Sequence, residues 1–118
     1  MQGFKKVKAY VYGKGIITTD VAIKDGKIFQ IGENLDISEP FPYEDGQILL
    51  PGFIDQHIHG ADNSDAMDGS VDALVKIAKA IAKEGTTSFL ATTMTQSPEN
   101  ISNALNAVKQ YKQIASII

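Results

Sequence analysis

Apolar and polar positions alternate along the first part of the chain. Between Lys5 and Tyr12, Val7, Ala9 and Val11 are interleaved with Lys8, Tyr10 and Tyr12, the two-residue period of a strand with one buried face. Gly13-Lys14-Gly15 breaks that run, and two further strand patterns follow at 19–24 and 27–32. Asp25-Gly26 joins them, a tight-hairpin signal because both turn positions need positive φ. Residues 33–46 contain Pro40, Pro42 and Asp45-Gly46 and read as a surface loop. One more short strand, 47–50, leads to Pro51-Gly52.

The pattern changes after Pro51. Residues 53–59 form a strand candidate that ends at Gly60, and a loop with three aspartates runs from Ala61 to Gly69. Ser70 is placed to cap a helix that runs to about Glu84 and stops at Gly85. Leu74, Ile77, Ala78 and Ile81 give it one buried face at helical spacing. Thr86 to Thr93 is rich in β-branched residues and reads as a strand. Ser97-Pro98-Glu99 then supplies a cap, a first-turn proline and a first-turn acid. The buried stripe of this second helix is expected at Ile101, Leu105, Val108 and Tyr111 or Lys112.

Strands with hairpins followed by strand–helix–strand–helix imply an α/β protein with a parallel sheet and helical crossovers. Two βα units cannot cover both faces of such a sheet, and a closed eight-fold barrel takes about 250 residues. Ile117-Ile118 closes the chain with no capping residue behind it. The expected organisation is a small β portion over 1–51, then over 52–118 the first βαβα segment of a truncated TIM-like (β/α)8 barrel.

Composition narrows the partners. The 118 residues carry a formal net charge of −3 with 43% hydrophobic and 21% charged residues, ordinary for a soluble globular protein. The lysines are scattered rather than striped, so nucleic acid is not expected as a partner. No apolar run approaches the roughly 18 residues that span a bilayer, and the first residues carry no apolar signal core. Cysteine is absent, which removes disulfides and thiolate metal sites and leaves the cytoplasm as the expected location.

The chain's two histidines lie in His57-Ile58-His59. Residues two apart on a strand share a face, so Asp55, His57 and His59 are expected to point one way. If that strand lines a barrel, its carboxyl end is at the catalytic mouth, where two imidazoles can converge on one metal ion. Neutral imidazole suits zinc, iron and similar ions alike. Asp55 reads as an acceptor for a histidine N–H behind the metal, or as a structural acid. Asp62, Asp65 and Asp68 read as a solvated loop, and Glu84 as a solvated helix end. Thr92, Thr93 and Thr95 read as residues that pack or hydrogen-bond at the strand's end.

Leu50-Pro51-Gly52-Phe53-Ile54-Asp55-Gln56-His57-Ile58-His59-Gly60 resembles the first-strand signature of the amidohydrolase superfamily. Lys24-Asp25-Gly26-Lys27-Ile28 and Ile31-Gly32 resemble the small β-sandwich that flanks the barrel there. His59-Gly60-Ala61 with the loop Asp62–Asp68, and residues 85–93, are most similar to the N-acetylglucosamine-6-phosphate deacetylase family. The resemblance implies hydrolysis of an acetamide on an amino-sugar phosphate, giving glucosamine 6-phosphate and acetate. One or two divalent ions would acidify the attacking water, with His57 and His59 as ligands of the first-strand metal. It also implies a small-molecule partner and a homo-oligomer, a dimer. The remaining ligands, the catalytic aspartate and the phosphate-binding residues of that family map onto nothing in 1–118, so the chain alone is expected to be inactive. The alternatives are another cyclic-amide hydrolase, dihydroorotase-like or dihydropyrimidinase-like, and a small non-catalytic metal-binding or interaction module.

Overall fold

The computed structural model describes residues 1–114; Ile117-Ile118 lies outside the described residues. Two compact units divide at Pro51/Gly52.

In the first unit, β1 (Gln2–Val11), β2 (Gly15–Lys24) and β3 (Lys27–Gly32) form an antiparallel meander. The β2–β3 turn is the Asp25-Gly26 pair, with φ of 52° and 70°. Alternation along β1 places Val7 and Ala9 in the core with Val21, against Phe4 and Leu49. The other edge of β1 takes two short parallel partners, β4 (Glu39–Pro40) near its start and β5 (Ile48–Leu49) further along. The stretch 33–46 is therefore more than a surface loop: it buries Ile37 to 2% exposure and adds β4 to the sheet. The unit is one five-stranded mixed sheet.

A buried carboxylate fastens this unit. Asp20 is 6% exposed. Its Oδ1 accepts the Lys6 backbone N–H at 2.8 Å and its Oδ2 accepts that of Leu35 at 3.0 Å. Lys6 stands at φ 54° inside a bulge of β1, between Phe4 and Val7. The Lys6 N–H above all holds the carboxyl below its ordinary 3.8, against desolvation, with help from Leu35 N–H and the Lys5 and Lys6 charges. A carboxyl depressed by folding contributes stability above its unfolded pKa, and that contribution is lost as pH falls through the folded value. Asp20→Asn is expected to lower the melting temperature at neutral pH and to flatten its decline below the ordinary 3.8. Thermal unfolding across that range checks both.

In the second unit, β6 (Phe53–Ile58) and β9 (Thr86–Ala91) pair in parallel. Between them come the hairpin β7 (Gly60–Ala61) and β8 (Ser64–Asp65), a 3-10 turn (Ala66–Asp68) and α1 (Val71–Ala82). After β9 comes α2 (Pro98–Ile114). Both serine caps form: Ser70 Oγ accepts Ala73 N–H and Ser97 Oγ accepts Asn100 N–H, each at 3.2 Å. Leu74 and Ile77 of α1 and Ala107 of α2 make a core on which Ile58, Phe89, Ala91, Val108 and Tyr111 pack. Leu105, expected in the buried stripe, is 56% exposed; Ala104 and Ala107 are buried instead. Small side chains let α2 lie close, and Leu105 falls about 100° round the helix from Ala104. Ile54 and Leu90 are 68% and 63% exposed, so they lie away from the helices. The described residues form no closed barrel, and no described helix is long and apolar enough to cross a membrane.

Candidate metal centre

The two histidines sit at the carboxyl end of β6, where its register with β9 slips. Asp55 opposes Phe89, and the next pair is Ile58 with Ala91, so three residues of β6 advance against two of β9. A strand that slips in this way bends and re-aims its side chains. Ile58 packs into the helical core, while the flanking imidazoles meet edge to face with Nε2 atoms 3.2 Å apart. His59 is half-buried and His57 exposed.

Hydrogen bonding sets the proton positions. His59 Nδ1 lies 3.0 Å from the Thr92 carbonyl oxygen. A carbonyl only accepts, so Nδ1 carries the hydrogen and the Nε2 of neutral His59 presents a lone pair. His57 Nε2–H then donates to it. Two nitrogens that share a tetrahedral ion at about 2.0–2.1 Å lie about 3.3 Å apart. The separation of the pair matches that of two nitrogens on one divalent ion, once His57 moves its hydrogen to Nδ1 and the two rings turn to converge.

Asp55 is half-buried. Its Oδ1 accepts the backbone N–H of His57 at 3.0 Å, so it holds main chain rather than an imidazole ring. The acidic loop is ordered by its own carboxylates. Asp65 Oδ1 accepts Met67 N–H at 2.8 Å and Asp68 Oδ2 accepts Asp65 N–H at 2.9 Å, a capping box around the 3-10 turn. Asp62 occupies the β7–β8 turn at φ 52°, and Glu84 is exposed. Among the described residues no group of three or more His, Cys, Asp or Glu side chains is placed to hold a metal. The chain therefore offers two imidazole donors, short of the three protein ligands typical of a catalytic zinc.

Of the threonines, Thr92 is tied directly to the pair, Thr93 is half-buried and Thr95 exposed. The tie was not readable from sequence beyond a threonine run at a strand's end, because it joins residues 33 apart.

The sequence profile of the amidohydrolase family matches residues 48–117, which include both histidines. The chain belongs to the amidohydrolase family. An N-acetylglucosamine-6-phosphate deacetylase from Lysinibacillus sphaericus is 53% identical over 79 residues, covering 66% of this chain and 20% of that protein. Its counterpart from Bacillus subtilis is 44% identical over 96 residues, 78% of this chain and 24% of that protein. This amidohydrolase chain thus spans about a fifth to a quarter of the length of those relatives. Allantoinases match at lower identity, 30% for that of Enterococcus faecalis. The crystal structure of the N-acetylglucosamine-6-phosphate deacetylase from Thermotoga maritima superposes with a TM-score of 0.74 at 31% identity, over 94% of this chain and 28% of that one.

Proposed function

We propose that this chain supplies the first metal-binding strand of a deacetylase that hydrolyses N-acetylglucosamine 6-phosphate to glucosamine 6-phosphate and acetate. The observation that carries the reading is the His57–His59 pair, with Nε2 atoms 3.2 Å apart, at the carboxyl end of a parallel strand in an amidohydrolase. Its substrate class is supported by the 53% and 44% identities to deacetylases acting on that sugar phosphate.

In this reading His57 and His59 hold a divalent ion through their Nε2 atoms. Such an ion supplies Lewis-acid polarisation of the acetamide carbonyl and acidification of water. The chain's own residues prepare the ligands. The Thr92 carbonyl keeps the His59 hydrogen on Nδ1, and Asp55 anchors the backbone N–H of His57. The general acid–base carboxylate and the phosphate contacts come from outside residues 1–118, on later strands of a barrel.

The test is acetate release by the protein captured from its native cells. N-acetylglucosamine 6-phosphate is expected to yield one acetate per glucosamine 6-phosphate, and allantoin to stay intact. Ring opening of allantoin with no acetate from the sugar phosphate would move the protein to a cyclic-amide hydrolase.

A further inference from the structure

Thr92 makes four hydrogen bonds at the histidine pair. Its N–H donates to the Ile58 carbonyl at 2.8 Å, and its carbonyl accepts His59 Nδ1–H at 3.0 Å. Its hydroxyl accepts Ile58 N–H at 3.1 Å and donates to the Leu90 carbonyl at 3.2 Å. Both backbone polar groups of Ile58, the residue between the histidines, are thus bound to Thr92. Three of the four join Thr92 to residues 58 and 59, just past the slip of β6 against β9.

We propose that Thr92 is the positioning residue of the metal pair: its hydroxyl clamps Ile58 so that its carbonyl holds His59 in the Nδ1–H form with Nε2 free to ligate. This rests on the metal reading of His57 and His59. The clamp needs a hydroxyl on a short side chain. Valine keeps the shape and the carbonyl but loses both hydroxyl bonds, whereas serine keeps them. Partners that orient a ligand imidazole carry about 10–100-fold of metal affinity.

Two readouts on the 118-residue chain test this. In the metal-free chain, long-range proton–nitrogen correlation spectra of the imidazoles report the His59 tautomer. Titration with cobalt(II) alone reports affinity. The wild type and Thr92→Ser are expected to show His59 as Nδ1–H and to bind cobalt within about threefold of each other. Thr92→Val is expected to show a mixed tautomer and at least about tenfold weaker binding. Thr92→Ala replaces the valine variant should that one misfold. A wild-type His59 that is not Nδ1–H overturns the proposal. So does a valine variant with wild-type tautomer and affinity, or a serine variant as impaired as valine. If alanine at His57 and at His59 leaves cobalt binding untouched, the metal reading itself fails, and the metal-free spectra still decide the clamp.

Discussion

His59→Ala is expected to weaken divalent-metal binding by more than about 100-fold, and to do so more severely than His57→Ala. The two imidazoles are neighbours in sequence but are held differently. His59 is half-buried and fixed through Nδ1 to the Thr92 carbonyl, so its Nε2 already faces the point of ligation. His57 is exposed, and its ring leans on that of His59. Removing His59 deletes the prepared ligand and also frees the His57 ring. Removing His57 also deletes a ligand but leaves His59 aimed, so its loss is expected to be the smaller of the two. Calorimetric titration of both variants with zinc separates the cases. A larger loss for His57→Ala would show that the order of preparation is reversed. Both rings stand outside the Leu74–Ile77–Ala107 core, so circular dichroism is expected to show an unchanged fold.

Gly60→Ala is expected to destabilise the second unit strongly. A Cβ at Gly60 would meet the Ser64 carbonyl oxygen at 2.1 Å and the Asp65 Cα at 3.0 Å. These are backbone atoms of the opposing hairpin strand, so no side-chain rotation relieves the overlap and β7 must separate from β8. Overpacking of this kind costs about 1–3 kcal/mol or more, and each kcal/mol lowers the melting temperature of a domain this size by about 4–8 °C. The damage would reach the metal site, because the carbonyl of adjacent His59 accepts Ala66 N–H at 2.8 Å across that hairpin. Thermal unfolding and zinc titration should therefore fall together. Gly32→Ala is the matched control: its added Cβ meets only Leu35 Cδ2, at 3.7 Å, and it should be near neutral. Equal melting temperatures for the two variants would refute the close-packing account.

Features set by residues close together in the chain are legible in the amino-acid order alone. Val7 and Ala9 alternate because one face of β1 is buried, and the Asp25-Gly26 turn follows from its tolerance of positive φ. The serine caps of both helices likewise follow from side chains that satisfy backbone donors three residues on. The missing parts depend on distant partners. β4 is two residues long, too short to show a period, and exists because β1 offers it an edge. The hairpin at Gly60–Asp65 lies inside what reads as a polar loop. Leu105 follows Ile101 at helical spacing, yet closeness between α1 and α2 selects Ala104 and Ala107. At the site, His-x-His is visible at once. The register slip that brings the rings together, and the carbonyl that fixes one of them, depend on a strand more than thirty residues further on.

That separation has a consequence for the order of events at the ribosome. The His59 carbonyl finds its donor in nearby Ala66, whereas the His59 ring waits for Thr92. At roughly 5–20 residues per second of synthesis, the interval between the two is on the order of seconds. During it the nascent chain can place the histidine backbone but cannot choose which ring nitrogen is free. If the pair ligates a metal as proposed, firm capture waits until the second parallel strand has emerged and docked.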